Sequence, residues 1–423
     1  MPVPAAAIPL PIESKFFRRS GSASKRGAAP SSEDRPAAPD RMKTSPTPIP
    51  FLDLPRQHAA IKQELMAVFS KALDSASFIG GPMVSGFEQA FARYVGAAHC
   101  VGMGSGTDAL RLALLAMGIG PGDHVVTVPN TFIATTEAVS QTGATFEFVD
   151  IDPETCLMDA NRLEDLLRLR SAGSGGPRPT VALPVHLYGQ TAEMQTLMDL
   201  AQRYGLKVLE DAAQAHGALH HGRPAGGLGH AAAFSFYAGK NLGACGEGGA
   251  VTTSDAALAE RMSMLRDHGQ SQKYRHQFEG YNARLDAIQA GILQVKLAHL
   301  DRWNEGRRRV AARYDAAFAE LPWVRPVRVL PHNRSCYHLY VVHVPDRDGL
   351  REHLDREGIG TGLHYPIPLH LQPAYAAKEW GRGSFPHAER SAESLLSLPM
   401  FPEMTDAQVE RVVRSIQHFG ESA

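Results

Sequence analysis

The chain has 423 residues, too many for one ordinary hydrophobic core, so we expect two domains or one large α/β domain with a smaller companion. Apolar residues make up 43% and charged residues 21% of the chain, as in average soluble globular proteins. The formal net charge of −1 gives no electrostatic basis for binding nucleic acid or an acidic membrane surface.

Cysteine usage and hydropathy exclude further classes of protein. The four cysteines are widely scattered and form no CxxC pair, which favours neither a zinc site nor a disulfide framework. No run approaches the roughly 18 apolar residues of a membrane span. We therefore expect a cytoplasmic protein with no metal, membrane or nucleic-acid partner.

The first 48 residues differ from the rest of the chain. They are rich in Pro, Ala and Ser and carry no periodic apolar pattern. We interpret residues 1–48 as a disordered leader, or as the product of a wrongly chosen upstream start codon. The folding pattern begins at residue 49 with "IPFLDL".

Apolar strand-like runs then alternate with helical segments. A helix, a Gly-Pro-Gly turn and a short buried strand are predicted in "TDALRLALLAMGIGPGDHVVTVP", and the alternation continues through "LKVLEDAA" and "AAAFSFYA". This order predicts βαβ units and a largely parallel sheet. In such sheets ligands bind beyond the C-terminal ends of the strands.

The C-terminal part has a different character. From about residue 284 the sequence is continuously helical, and after Pro331 shorter mixed elements follow. We expect a large domain at 49–290, and a long connecting helix with a smaller C-terminal α+β domain at 291–423.

A single lysine among glycines raises the question of chemistry. Lys240 lies in "FSFYAGKNLGACGEGGA", directly after a strand-like run, and Asp211 ends the earlier strand-like run "KVLE". A lysine and a carboxylate on adjoining strand ends are the pair that pyridoxal phosphate (PLP) requires, one for the Schiff base and one for the pyridinium nitrogen.

A phosphate site is also predicted. In "GMGSGTDALRLAL", glycines and a Ser-Gly-Thr turn lead directly into a helix. Free backbone N–H groups and the dipole at a helix N-terminus favour a phosphate there. The segment is not a P-loop, because it lacks the terminal Gly-Lys-Ser/Thr.

Seven motifs in the same order resemble one family. They are "GSGTDAL", "NTFIAT", "VHLYGQ", "EDAAQAHGA", "FSFYAGKNLGACGEGG", "GYNARLDAIQAGIL" and "HYPIPLHLQPAY". From about residue 50 to its end, the chain resembles the DegT/DnrJ/EryC1/StrS family of PLP-dependent nucleotide-sugar aminotransferases. The resemblance implies a PLP fold-type I (aspartate aminotransferase-like) large domain, and a homodimer with active sites at the subunit interface.

The resemblance also implies the site residues. Lys240 would form the Schiff base, and Asp211 would pair with the pyridine nitrogen. The remaining cofactor contacts would come from Gln214 at the ring hydroxyl, Phe132 stacked on the ring, Gly106, Thr107, Asp108 and Ser235 at the phosphate, and Asn282 of the other subunit. Substrate contacts would come from Tyr237, Lys273 of the other subunit, His364 and Tyr365.

The reaction that the resemblance implies is transfer of an amino group from glutamate to a keto group of a nucleotide-linked deoxyhexose. "HYPIPLHLQPAY" is most similar to members acting at C3 of dTDP-linked 6-deoxy sugars. A C4 aminotransferase on a UDP- or GDP-sugar, and a PLP-binding regulator without turnover, remain alternatives. Lys240 argues against the dehydratase branch, in which a histidine takes the place of the lysine.

Three histidines carry no predicted chemistry. His216, His220 and His221 show no metal-ligand spacing, and we interpret them as surface or packing residues. The sequence also assigns no role to Cys245.

Overall fold

A seven-stranded sheet packed between helices forms the centre of the protein in a computed structural model, which describes residues 47–422. The strands are β1 (His99–Met103), β2 (His124–Thr127), β3 (Thr145–Phe148), β4 (Val181–Ala182), β5 (Lys207–Asp211), β6 (Leu219–His220), β7 (Arg223–Pro224), β8 (Ala231–Ser235), β9 (Gly249–Thr253), β10 (Gln270–Gln272), β11 (Arg275–His276), β12 (Arg325–Pro326), β13 (Asn333–Arg334), β14 (Tyr340–His343) and β15 (Leu395–Leu398).

The helices lie between and after these strands. They are α1 (Leu54–Ala60), α2 (Lys62–Ser75), α3 (Gly81–Val95), α4 (Gly106–Ala116), α5 (Ala134–Ser140), α6 (Ala160–Ser171), α7 (Met194–Tyr204), α8 (Ala256–Leu265), α9 (Ala287–Leu297), α10 (Leu300–Phe318), α11 (Arg347–Arg356), α12 (Pro386–Ser394) and α13 (Asp406–Ser422).

The large sheet has the strand order β1-β9-β8-β5-β4-β2-β3. The five strands from β8 to β3 pair in parallel, and β9 runs antiparallel to both β8 and β1. Only β9 is therefore reversed, and the predicted mainly parallel α/β sheet is confirmed. The C-terminal ends of β5 and β8 lie side by side, with Asp211 opposite Ala233.

Both faces of this sheet are buried, which explains its continuous apolar strands. On β2, Val125 packs into the cluster that contains α4 and α5, whereas Val126 packs into the cluster that contains α6 and α7. On β5, Leu209 packs into the first of these clusters and Val208 packs into the second. Successive side chains point to opposite faces of a strand, so a sheet covered on both sides needs apolar residues at every position.

A separate three-stranded antiparallel sheet, β12-β14-β15, lies in the C-terminal part. Its buried residues pack against three helices, through residues such as Tyr314 of α10, Leu350 of α11 and Val412 of α13. Ile49 joins the same cluster, and its backbone exchanges hydrogen bonds of 2.8 Å with Gly358 and Gly360.

The helical stretch after residue 284 is two helices, because α9 ends at Leu297 and α10 starts at Leu300. The domain boundary predicted at residue 290 falls inside α9, and the division at that point stays a prediction. The predicted leader, 1–48, lies outside the described residues apart from Thr47 and Pro48. Among the described residues, no helix combines the length and the apolar character that crossing a membrane requires.

Candidate active site

Lys240 lies in the loop that follows β8. The chain leaves the strand at Ser235 and tightens into a turn in which the Lys240 N–H donates to the Tyr237 carbonyl at 2.8 Å. Burial lowers the pKa of Lys240 to about 8, although the nearby Asp211 carboxylate opposes the shift. The neutral form of the amine, which a nucleophile or proton acceptor needs, is therefore more populated near physiological pH than in an ordinary lysine.

Asp211 ends the neighbouring strand and is only 5% exposed. Its carboxylate accepts hydrogen bonds from Thr135 Oγ1 at 2.8 Å and from the Ala213 N–H at 3.2 Å. Burial raises the pKa of Asp211, while these donors and the Lys240 charge oppose the rise. The site thus holds one carboxylate in a fixed orientation next to one amine.

Thr135 is a residue that the sequence reasoning missed. It lies at the start of α5, in the motif "NTFIAT", and its hydroxyl also lies 2.8 Å from the Thr131 hydroxyl. The motif was recognised for its phenylalanine, and only the position of α5 beside β5 reveals that a threonine orients Asp211.

The predicted phosphate cradle lies at the start of α4. Ser105 caps this helix by accepting the Asp108 N–H at 3.0 Å. Gly106 lies against Ser235, so that a Cβ on Gly106 would be 2.6 Å from the Ser235 Cβ and 3.1 Å from its Oγ. The helix N-terminus and the Ser235 hydroxyl therefore lie together, and only glycine allows this approach.

The other two predicted residues of this turn are differently placed. The Asp108 side chain binds Arg111 at 2.7 Å and Ser105 Oγ at 3.0 Å, both on its own helix or cap. Thr107 is half-buried at the second position of α4. Asp108 therefore offers a phosphate no free side chain, and the Ser105 cap already occupies its backbone N–H.

An aromatic and amide network borders the carboxylate. Gln214 donates through Nε2 to the Tyr365 hydroxyl at 3.3 Å, and its Oε1 accepts the Tyr188 N–H at 2.7 Å. The Tyr188 hydroxyl donates to the His364 carbonyl at 2.6 Å. The Phe132 ring is 56% exposed and lies 5.9 Å from the Tyr365 ring. Tyr188, which the sequence reasoning did not single out, joins the two ends of this network.

His364 is held by its neighbours. Its Nδ1 lies 2.9 Å from Ser397 Oγ, and its ring stacks on Phe51 with centroids 5.7 Å apart. Burial, with a smaller contribution from Lys240, lowers the pKa of His364 to about 4. The ring is therefore neutral at physiological pH and can donate or accept a hydrogen bond.

Two further histidines that feel the charge of Lys240 are neutral. Burial and then the Lys240 charge lower the pKa of His216 to about 3 and that of His338 well below its usual value. The His216 ring packs 5.4 and 5.7 Å from those of Phe234 and Phe236, as a packing histidine would.

The remaining predicted site residues are exposed in the single chain. Tyr237 is 55% exposed, and Lys273 and Asn282 are exposed on the segment from β10 to the start of α9. The Lys273 amine lies 5.2 Å from the Tyr274 ring, and Asn282 pairs through its backbone with Asp267. Among the described residues, no hydrogen bond, ion pair or ring contact joins Lys273 or Asn282 to Lys240 or Asp211.

The residues that converge fit PLP. The fold sets an amine with a lowered pKa beside a buried carboxylate, and it sets a capped helix N-terminus, where anions bind, beside the Ser235 hydroxyl. The profile of the DegT/DnrJ/EryC1/StrS aminotransferase family matches residues 59–417. The chain belongs to this family.

Relatives in the DegT/DnrJ/EryC1/StrS family are named for nucleotide-sugar substrates. dTDP-3-amino-3,4,6-trideoxy-alpha-D-glucose transaminase of Streptomyces venezuelae is 46% identical, with 88% of this chain and 96% of the relative covered. UDP-N-acetyl-3-dehydro-alpha-D-glucosamine 3-aminotransferase of Acidithiobacillus ferrooxidans is 42% identical, with 88% and 98% covered.

Solved structures agree with this assignment. DesV of S. venezuelae, in complex with a ketimine intermediate, superposes with a TM-score of 0.85 at 45% identity and covers 88% of this chain and 99% of its own. NtdA from Bacillus subtilis, with bound cofactor PMP, gives 0.82 at 30% identity, with 90% and 87% covered. The predicted fold-type I architecture, the PLP cofactor and the class of PLP-dependent sugar aminotransferase are confirmed. PLP supplies the electron sink that lets an amino group move between two carbon skeletons.

Proposed function

We propose that this protein transfers the amino group of glutamate to the 3-keto group of a dTDP-linked 6-deoxyhexose. The observation that carries the proposal is the 46% identity to a dTDP-3-amino sugar transaminase over nearly the whole of both chains. A second relative, dTDP-3-amino-3,6-dideoxy-alpha-D-galactopyranose transaminase, is 42% identical, so the shared feature is an amino group at C3 of a dTDP-sugar.

The roles of the two central residues follow from their surroundings. Lys240 would bind the cofactor and, once released by the donor, would move a proton to and from the reacting carbon, because its lowered pKa gives it a larger neutral fraction than an ordinary lysine has. Asp211 holds the ring nitrogen protonated, since Thr135 and the Ala213 N–H favour its ionised form against burial.

The other cofactor contacts are arranged around this pair. Ser235 and the backbone of Gly106 and Thr107 would bind the phosphate, and Asp108 would hold this turn through its contacts with Ser105 and Arg111. Phe132 would cover one face of the ring, and Gln214 would bind the ring hydroxyl.

We propose that the active enzyme is a homodimer in which Asn282 and Lys273 complete the site of the partner. Both residues lie on a segment that carries exposed apolar rings, with Tyr274 84% and Phe278 36% exposed in the single chain. A partner subunit would bury these rings, and its active site would receive the segment that carries Lys273 and Asn282. Lys273 and Tyr237 there supply the cation and hydroxyl that a pyrophosphate requires.

Mixing two inactive variants tests the shared site. Lys240→Ala and Asn282→Ala chains, unfolded and refolded together, form mixed dimers with one intact site if Asn282 acts across the interface. Random pairing then restores about a quarter of wild-type activity, because half the dimers are mixed and each has one intact site of two. If Asn282 serves its own chain, no mixed dimer has an intact site. Absence of recovery, with dimers present by sedimentation, contradicts the proposal.

The substrate is tested with a matched panel of keto-sugar nucleotides. We expect the highest kcat/KM with dTDP-3-keto-6-deoxyhexose, measured by mass spectrometry of the aminated product. A higher value with a 4-keto sugar, or with a UDP- or GDP-sugar, supports the alternative substrate and refutes this one. The regulator alternative is tested separately, because a protein without turnover keeps its visible absorbance when glutamate is added.

A further inference from the structure

Three histidines and one glutamate from three separate segments converge outside the active site. Glu193 precedes α7, His220 ends β6, His221 lies in the turn before β7, and His332 precedes β13. One ring nitrogen or carboxylate oxygen of each residue lies within 4.8 Å of the other three. We call these four residues the histidine cluster.

The backbone brings the cluster together. β6 pairs antiparallel with both β7 and β13, so that His220 lies opposite Asn333. The His221 N–H donates to the His332 carbonyl at 2.9 Å, and the two rings stack with centroids 4.3 Å apart and planes 6° apart. These residues are far apart in sequence, which is why their spacing indicated no ligand set.

The donor set matches zinc. Imidazole nitrogens and a carboxylate oxygen are ligands that Zn²⁺ prefers, usually four in a tetrahedron. At the usual bond lengths, two such ligand atoms lie about 3.3 Å apart. The His332 Nε2–Glu193 Oε2 distance is 2.6 Å and the His220 Nε2–Glu193 Oε1 distance is 3.6 Å, so each Glu193 oxygen is within about 1 Å of that separation from a different ring nitrogen. Ca²⁺ and Mg²⁺ prefer oxygen ligands and do not match a site with three imidazoles.

A neighbouring amide orients the central ligand. The Nδ1 of His220 lies 2.8 Å from Asn333 Oδ1, which also accepts from Thr191 Oγ1 at 2.8 Å. The Asn333 amide nitrogen donates to the Thr191 carbonyl at 2.7 Å, which fixes the side chain with its oxygen toward the ring. His220 Nδ1 therefore carries the hydrogen, and the lone pair is on Nε2, on the side of the cluster.

Two existing contacts compete with a metal, and one of them is the His332–Glu193 pair, which would have to open. The His220 Nε2 accepts the backbone N–H of Gln195 at 3.2 Å. Gln195 lies in the first turn of α7, where N–H groups have no partner within the helix and bind water readily. Zinc binding at Nε2 therefore requires the loss of one long hydrogen bond.

We propose that the histidine cluster binds one Zn²⁺ ion through Glu193, His220, His221 and His332. The ion would join the start of α7, the β6–β7 turn and the segment before β13. It would stabilise the fold and take no part in amino transfer, because none of its ligands belongs to the candidate active site.

The test measures zinc in untagged protein with PLP bound, since a histidine tag or nickel resin would add a second source of metal. Protein is incubated with ZnCl₂, dialysed against zinc-free buffer and analysed by inductively coupled plasma mass spectrometry. We expect about one zinc per chain in wild type. In His332→Asn and in His221→Asn, the affinity measured against a competing chelator falls at least about tenfold.

His268→Asn is the matched control. His268 and His221 are both exposed, and both have a left-handed backbone, with φ of 57° and 47°. Asparagine tolerates this conformation, so the two substitutions disturb the backbone equally. The control should keep wild-type zinc affinity.

A thermal measurement completes the test. Zinc should raise the Tm of wild type and of His268→Asn but not that of His221→Asn, and MgCl₂ should leave all three unchanged. Because His221 is exposed, we expect His221→Asn to fold even if His332→Asn does not. The absorbance of bound cofactor verifies that each variant is folded. Wild type that retains no zinc, or variants that hold as much zinc as wild type with equal affinity, would overturn the proposal.

Discussion

Replacing Gly106 by alanine tests how the phosphate site is built. The new Cβ would lie 2.6 Å from the Ser235 Cβ and 3.1 Å from its Cα and Oγ. Carbon atoms in favourable contact are about 3.5–4.0 Å apart, so the start of α4 and the end of β8 must separate by roughly 1 Å. The same separation would pull the helix N-terminus away from the Ser235 hydroxyl, and both groups are proposed to bind the phosphate.

The expected cost follows from this overlap. Overpacking of this kind costs about 1–3 kcal/mol. At about 2.1 cal/mol/K of unfolding entropy per residue, the Tm of a chain of 423 residues falls by roughly 1–4 °C. If the displaced phosphate contacts lose a similar free energy, PLP affinity falls by roughly 5- to 150-fold.

Two measurements and two further variants separate these effects. PLP affinity is measured by absorbance titration of the apoprotein, and Tm by calorimetry. Gly120→Ala is the control, because its Cβ would meet only the Thr142 carbonyl at 3.7 Å. In Gly106→Ala with Ser235→Gly the clashing side chain is removed and only the 3.1 Å contact with the Cα of residue 235 remains, so the Tm should recover in part while PLP affinity stays low without the hydroxyl. An unchanged PLP affinity in Gly106→Ala would refute the proposed cradle.

The remaining predictions concern the catalytic pair, the substrate and the chain start. Asp211→Asn should still bind PLP but lower kcat by roughly two orders of magnitude, because a neutral amide does not hold the ring nitrogen protonated; activity within a factor of two of wild type contradicts this role. The rate at which apoprotein captures PLP, followed by stopped-flow absorbance, should rise with pH around a midpoint near 8, since only the neutral Lys240 amine reacts and its pKa is lowered to about 8. In Asp211→Asn that midpoint should move down, because the carboxylate that raises the pKa of Lys240 is gone, and an upward shift would be inconsistent. Lys273→Ala should raise the KM for the sugar nucleotide while glutamate still bleaches the cofactor at the wild-type rate; equal failure of both steps would assign Lys273 to cofactor binding or folding. A chain that begins at Thr47 should keep the wild-type Tm. A chain that also lacks Ile49 should lose several degrees, because the buried Ile49 side chain and its two backbone hydrogen bonds disappear. A lower Tm in the chain that begins at Thr47 would show that the leader stabilises the fold.

The sequence alone predicted the parallel sheet, the cofactor and the central pair. These features depend on local patterns, because apolar runs that alternate with helical segments imply parallel strands, and parallel strands place their C-terminal ends on one edge. Asp211 and Lys240 each follow such a strand, and β5 and β8 are neighbours in the sheet. The sequence pattern therefore predicts that both side chains lie at one edge of the sheet, and the pairing of β5 with β8 in the folded chain makes them neighbours.

Tertiary packing alone decided which side chains support that pair. Thr135 at the start of α5 reaches Asp211 at the end of β5, and Tyr188 after β4 reaches the His364 carbonyl, because the folded chain brings these segments together. No periodicity or spacing encodes such contacts, since they depend on how elements distant in sequence meet.

The histidine cluster shows the same limit most clearly. His220 and His221 were interpreted as surface or packing residues, because sequence spacing identifies a ligand set only when the ligands are close in the chain. Glu193 and His332 reach them through the pairing of β6 with β13 and the start of α7, which only the folded chain brings together.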